Sequence, residues 1–267
     1  MYKNSSYSGE KLSFAHTYDK HPPDCLDNKH CHDVYEILYV IEGKGRFIVE
    51  GTYFDVKPGT LMIIRPFEYH SLKIDTECSY ERYVINFSLS ALVDDAVSLF
   101  LKFMENDDDS SGKIYTPDTL SQNILPLLER FATINTLPPN EGELYAKMLM
   151  SELILFLSVS GGEQIAHNES ELGAKVIRYL NENIERNISL DDLARRFFVS
   201  KYYLCRAFKR HNGISVHGYI NQKRVMYAKQ LIDSGETASG AAYKVGFGDY
   251  SAFYRAYVKV VGKAPTA

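Results

Sequence analysis

The hydrophobic period of this chain changes once, and that change constrains the fold more than any other feature. Over residues 34–87 the apolar side chains come in short runs, β-branched and aromatic, each cut off by turn residues. The run 34–41 ends at Glu42-Gly43-Lys44-Gly45, 46–50 at Gly51, and 53–56 at Lys57-Pro58-Gly59; runs at 61–64, 70–74 and 80–87 follow. Short runs at even spacing predict antiparallel strands closed into a barrel or sandwich, an arrangement that leaves few exposed sheet edges. From Leu120 onward the apolar residues recur at steps of three and four, the spacing of helices with one buried face.

Two helices are expected before residue 160. The first carries Leu125, Leu127, Leu128 and Phe131, with Pro126 starting or kinking it. The second, over 143–159, carries Leu144, Met148, Leu149, Leu153, Ile154, Phe156 and Leu157. That stripe is wide enough to pack on the strands and also face a second copy, so a homodimer through helix 143–159 is expected. The stretch 105–112, with three consecutive aspartates, separates strands from helices. The stretch 160–169 has two glycines, few apolar residues and no period, and reads as a linker. The division that results is a first domain over 1–160, a linker over 161–169 and a second domain over 170–267.

Charge follows the same division. The net charge of −4 is the sum of 14 basic against 25 acidic residues up to Ile165, and 16 basic against 9 acidic residues from Ala166. Only the second part is suited to a polyanion. No run approaches the ~20 apolar residues of a membrane span, and the first residues lack a basic start and an apolar core. Four cysteines, Cys25, Cys31, Cys78 and Cys205, stand at irregular spacing unlike a disulfide framework. The expectation is a cytoplasmic, reduced protein with no membrane partner.

In the second part, helices are predicted over 171–183, 190–197, 201–211 and 215–233, then over 238–245 and from Asp249 on. Ser189, Ser200 and Asp249 stand at N-cap positions, and Asn212-Gly213 stops the third helix. Two short helices joined by a tight turn make a helix-turn-helix, and this pattern occurs twice, separated by the long 215–233 helix. In the first unit Leu204, Ala207 and Phe208 point inward, while Tyr202, Cys205, Arg206 and Lys209 lie opposite. Such a ridge suits a major groove. Arg206 is placed to read a guanine, and Lys201, Lys209 and Arg210 to neutralise phosphates, with Ser200 a further candidate DNA contact. In the second unit Phe253 and Tyr257 turn inward and Tyr250, Ser251, Tyr254 and Arg255 face out.

The strand region carries a second constellation. In His30-Cys31-His32-Asp33-Val34-Tyr35-Glu36, the residues His30, His32 and Glu36 share parity, so on one continuous strand they project from one face. Two imidazoles and a carboxylate suit a divalent transition metal (Zn, Ni, Fe or Mn), with His70 as the fourth ligand. The same four residues would line a ligand cavity inside a small barrel.

The spacing of His30, His32, Glu36 and Gly43, then Gly59, Pro66 and His70, resembles the two signature motifs of the cupin barrel, although Ile74 stands where those motifs have Asn. The last hundred residues resemble the DNA-binding domain of the AraC/XylS family of transcriptional regulators, through SLDDLA, SKYYLCRAFKR, RVMYAKQLI, YKVGFGDYSAFYRAY and VGKAP. The resemblance implies a jelly-roll sensor with trailing helices followed by an all-α domain with two helix-turn-helix motifs. It also implies promoter DNA, a small-molecule effector such as a sugar or other catabolite, a homodimer and RNA polymerase as partners. Two departures stand out: Val258 replaces a basic residue, and Gly240 should soften the second unit by roughly 0.5–1 kcal/mol against Ala in a helix interior.

Three functions compete. The first is a ligand-responsive transcription factor. The second is a metal-sensing regulator using His30, His32, Glu36 and His70, and the third a metal-dependent cupin enzyme using the same residues. The basic helical domain argues against an enzyme, and the sequence has no nucleophile elbow, phosphate loop or CxxC pair.

Overall fold

The computed structural model describes residues 4–22, 30–104, 112–120, 124–160, 163–164, 172–186 and 188–266. Cys25, most of the aspartate-rich break and most of the expected linker lie outside the described residues.

The strands are β1 (Ser6–Ser8), β2 (Leu12–Asp19), β3 (Tyr35–Glu42), β4 (Gly45–Val49), β5 (Thr52–Val56), β6 (Leu61–Ile64), β7 (His70–Ile74), β8 (Tyr80–Phe87), β9 (Lys113–Tyr115) and β10 (Glu163–Gln164). They form a seven-stranded sheet in the order β1-β2-β8-β3-β6-β9-β10 and a three-stranded sheet in the order β5-β4-β7. Every pairing is antiparallel. The helices are α1 (Asp94–Met104), α2 (Ile124–Phe131), α3 (Pro139–Val159), α4 (Leu172–Glu182), α5 (Leu190–Arg196), α6 (Lys201–Asn212), α7 (Val216–Asp233), α8 (Ala238–Lys244) and α9 (Tyr250–Val261).

Alternation along the strands builds two cores. Leu38, Val40, Phe47, Val49, Val56, Met62, Ile64, Leu72, Ile74 and Tyr80 fill the space between the sheets. The opposite face of the large sheet, with Phe14, Ile37, Ile63, Tyr83, Ile85 and Phe87, is covered by Phe100, Leu128, Phe131, Leu149, Leu153 and Leu157 of α1, α2 and α3. Burying each of these side chains is worth about 1.5–3 kcal/mol.

Several expectations need correction. β1, β2 and α1 were not foreseen, and α1 precedes the 105–112 break while β9 follows it, so that break does not part strands from helices. Within the segment read as a linker, β10 pairs its two residues with β9. On α3, Leu144 and Met148 are exposed rather than core, because the sheet meets the neighbouring face with Ala146, Leu149, Met150, Leu153 and Leu157.

In the helical domain the caps are as expected. Ser189 and Asp192 form a reciprocal capping box, Ser200 accepts from the Tyr203 N–H, and Gly213 closes α6 in the left-handed region. The α4–α6 unit has its own core around Val176, Leu180, Leu193, Leu204 and Phe208. The α8–α9 unit packs on α7 through Val225, Ala228, Ala241, Val245, Phe253 and Tyr257. Gly240 proves to be in the first turn of α8, donating to the Thr237 cap, so the interior penalty expected for it does not apply. Arg224 lies on the apolar face of α7, and its charge is used. It donates to the carbonyls of Ile184, Arg186 and Gly246, bolting one unit to the other.

The two domains touch. The β4–β5 hairpin turns at Glu50 (φ 45) and Gly51 (φ 83), and both positive angles match the tight two-residue turn of a hairpin. Its tip reaches α6 and α7. The buried Glu50 carboxylate accepts from Lys223 Nζ at 2.6 Å, the Tyr219 hydroxyl at 2.6 Å and the Tyr69 N–H at 2.8 Å.

Candidate effector site and nucleic-acid interface

His30, His32, Glu36 and His70 come together, with one ligand atom of each within 4.8 Å of the others. They do so without the continuous strand that parity assumed. β3 begins only at Tyr35, and His30 is held by an isolated bridge to β7, donating to and accepting from the His70 backbone at 3.0 and 2.9 Å. The His32 carbonyl is fixed by the Phe67 N–H at 2.7 Å. Glu36 enters from β3, on the same side as Leu38 and Val40, and the cluster rests on Phe47, whose ring stacks against His70.

The ring orientations suit metal ligation. His32 Nδ1 lies 2.9 Å from the Val34 carbonyl and His70 Nδ1 lies 2.8 Å from the Glu68 carbonyl. Carbonyls accept only, so both Nδ1 atoms carry the proton and both Nε2 atoms face the cluster, that of His70 as a lone pair and that of His32 as a donor to Glu36. Burial opposes charge on His32, but the Glu36 contact outweighs it and raises the imidazole above its ordinary value; the shared proton would be displaced on metal binding. His32 Nε2 is 3.3 Å from Glu36 Oε2, and His70 Nε2 is 3.9 Å from Glu36 Oε1. Ligand atoms around one transition-metal ion stand roughly 3–4 Å apart, given bonds of ~2.0–2.2 Å. His70 Nε2 is buried and has no hydrogen-bond partner among the described residues, an omission that ordinarily costs about 1–3 kcal/mol. Burial pushes His70 down to about 4, so its imidazole is neutral. Burial opposes the charge on Glu36, but the His32 hydrogen bond and the nearby imidazoles outweigh it and hold the carboxyl below its ordinary value. Three imidazoles and one carboxylate therefore fit a divalent transition metal. His30 is exposed and leaves one flank open to solvent.

The expected nucleic-acid contacts sit on two helices. Ser200, Lys201, Tyr202, Arg206, Lys209 and Arg210 are exposed, as are Tyr250, Ser251, Tyr254 and Arg255, while Leu204, Ala207 and Phe208 are buried. Cys205 is the exception. It is half-buried against the core of the first unit, because it stands three residues before the buried Phe208 and so lies beside it on the helix surface. Exposed aromatic side chains run along both helices, with Tyr202 73% and Tyr254 43% accessible.

The domain contact was not foreseen. Glu50 was read as a strand residue and Lys223 was not singled out; the one available signal was a lysine within the apolar stripe of a long helix. Further contacts are Asp33 with Lys229, Phe67 against the Tyr227 ring at 4.4 Å, and Tyr69 edge-on to Tyr219 at 5.9 Å.

Comparison with known proteins gives two family matches: the AraC-like ligand binding domain over residues 17–114 and a helix-turn-helix domain over 193–267. The chain is 26% identical to the HTH-type transcriptional activator RhaS of Mannheimia succiniciproducens over 250 residues, covering 91% of this chain and 89% of that protein. It is 24% identical to the Msm operon regulatory protein of Streptococcus mutans over 267 residues, covering 97% and 89%. Among solved structures, ToxT from Vibrio cholerae is similar with a TM-score of 0.41 and 13% identity, covering 96% of each chain.

Proposed function

Because this chain belongs to the AraC family of transcriptional regulators, whose members bind DNA and are not enzymes, we propose that it is a metal-responsive member. In this reading residues 1–160 sense the effector, 161–169 link, and 170–267 read promoter DNA. A divalent transition-metal ion is held by His30, His32, Glu36 and His70. The observation that carries the effector assignment is the buried, partnerless His70 Nε2 facing three other ligand atoms. The filling of the inter-sheet space by Phe47, Met62, Ile64 and Leu72 favours an ion over a sugar or other catabolite in that place. The ion would supply positive charge that draws four side chains from three segments into one geometry. The residues' own task is to present imidazole nitrogens and an ionised carboxylate, with His70 already neutral and His32 giving up to the ion the proton it shares with Glu36.

For DNA, Arg206 on α6 and Tyr254 and Arg255 on α9 would meet base edges, with Lys201, Lys209, Arg210 and the Ser200 and Ser251 hydroxyls on phosphates. The Lys201–Asp191 ion pair, at 3.0 Å, would aim that ammonium. Leu144, Met148, Leu155 and Val159 leave an exposed apolar stripe on α3, 56–76% accessible, that would pair with a second copy. RNA polymerase would be a further partner at the promoter, and the cytoplasm the compartment in which all of these meet.

Metal analysis of protein purified without a His-tag, beside His30→Ala/His32→Ala, tests the effector reading. Near-stoichiometric metal lost in the double variant is expected. Metal-free wild-type protein that also fails to take up zinc, nickel, iron or manganese would overturn it. The DNA reading is tested by selection from a random-sequence pool, where Arg206→Ala should lose the preference at one base position of the sequence that wild type selects, and a pool from which wild type enriches nothing would overturn it.

A further inference from the structure

The two segments that supply three of the four metal-ligand candidates also make the contact with the DNA-binding domain, residue by alternate residue. In the first segment His30 and His32 face the cluster, while Cys31 between them is buried in the core of the α4–α6 unit. Asp33, next along, pairs with Lys229 of α7, which also pairs with Asp233 at 2.8 Å. In the second segment His70 faces the cluster, while Phe67 lies on Tyr227 and Tyr69 on Tyr219, both of α7. The Tyr69 N–H is held by Glu50, whose carboxylate is buried against Lys223 and Tyr219. Tyr219, Lys223 and Tyr227 recur every four residues, so one face of α7 meets the sensor domain along much of its length.

The 30–34 segment has no strand of its own. Its backbone is tied to the sensor domain by the His30–His70 bridge and the Phe67–His32 hydrogen bond, and to itself by His32 Nδ1 on the Val34 carbonyl. Cys31 is buried in a cluster shared by Phe67 and Tyr69 of the sensor domain and the core of the α4–α6 unit, and Asp33 pairs across to Lys229, so part of the segment's order comes from the docked domain. A metal site needs its ligands held within a fraction of an ångström, and groups that support ligands from outside matter nearly as much as the ligands.

Building on the metal reading above, we propose that α7 of the DNA-binding domain, through Lys229 and Tyr227, positions the His30–His32 segment, so that metal binding and domain docking strengthen each other. Lys229 and Tyr227 are positioning residues and touch no metal. Because the coupling is reciprocal, anything that loosens docking weakens metal binding by the same factor with which metal tightens docking. The outward faces of α6 and α9 are not part of this contact, so the docked form keeps its DNA-facing residues exposed.

The test measures zinc affinity of the full-length protein by competition with a colorimetric chelator. Lys229→Met should weaken zinc binding 10–100-fold, the usual range for losing an outer-shell support, and Lys229→Arg should recover most of it. The sign separates positioning from simple electrostatics, since removing a nearby cation without losing position would tighten zinc binding. Asp33→Asn repeats the test from the sensor side, on a pair that is partly exposed at both ends and whose loss leaves the cores intact. The reciprocal arm uses Cys31 as a reporter, with Cys25, Cys78 and Cys205 replaced by Ser. Zinc should slow thiol labelling at Cys31 at least tenfold, and chelator should restore it. Zinc binding by wild type that is unchanged in Lys229→Met and Asp33→Asn, or a labelling rate indifferent to zinc, overturns the coupling and leaves the metal reading standing. Wild type that binds no zinc overturns both.

Discussion

Gly51→Ala is the sharpest probe of the domain contact, because its cost divides into two parts that can be measured separately. Gly51 has φ +83, where any L-residue costs about 1–2 kcal/mol. A Cβ there would also stand 2.2 Å from His211 Nε2, 2.3 Å from His211 Cδ2 and 2.7 Å from Asn212 Oδ1. The ring has no room to retreat, since His211 Cβ already lies against Gly173, where an added Cβ would be 2.6 Å away. The end of α6 must therefore back off the hairpin, at about 1–3 kcal/mol for an overpacked contact. The sum is about 2–5 kcal/mol. Gly262→Ala is the control, with φ +79 and nothing within 4 Å of the new Cβ, and it should show only the backbone part. The assay is urea unfolding followed by far-UV circular dichroism, since the chain has no Trp to follow by fluorescence. In a His211→Ala background the cost of Gly51→Ala should fall toward that of the control, leaving only the share owed to Asn212 Oδ1. If Gly51→Ala is no worse than Gly262→Ala, or if His211→Ala gives no relief, the hairpin tip is not seated against α6 as described.

Arg224→Met should cost about 3 kcal/mol or more, because three carbonyls lose a charged donor at once, and limited proteolysis should then separate the α8–α9 unit from the first. An unchanged protease pattern would deny the bolt. Lys209→Ala should weaken DNA binding evenly across sequences and flatten the salt dependence by about one phosphate contact, whereas Arg206→Ala should relax selectivity at one base position. Titrating binding at several salt concentrations against matched and mismatched DNA distinguishes the two, and identical behaviour would contradict the assigned roles. Ser189→Ala should cost about 1 kcal/mol by thermal melting, since it removes the hydroxyl half of a capping box that opens the seven-residue α5 and leaves only the backbone N–H of residue 189 on Asp192. Leu144→Glu/Met148→Glu should leave the melting temperature within about 2 °C and shift the protein toward monomer in analytical ultracentrifugation, because both side chains are more than half exposed. A dimer unaffected by both charges would put the interface elsewhere.

Much of this architecture was legible in the amino-acid order because it rests on local physics. Ser189, Ser200 and Asp249 cap helices through bonds reaching two or three residues along the chain, and Gly213 ends α6 through its own backbone angle. The even strand spacing and the four ligand candidates were also visible, since parity and motif spacing survive in a linear string. Even there tertiary structure intervened, as His30 and His32 converge on Glu36 through a bridge to His70 rather than along one strand. What the sequence left open was every relation between distant segments. A glutamate at position 50 reads as the last residue of a strand until Lys223 and Tyr219, about 170 positions away, bury it. Cys31 and Asp33 look like spacers between ligands until α7 lies against them. The local pattern decides which face a side chain takes, but only packing decides what it meets there, because burial and partner choice depend on surfaces that exist only once both domains have folded.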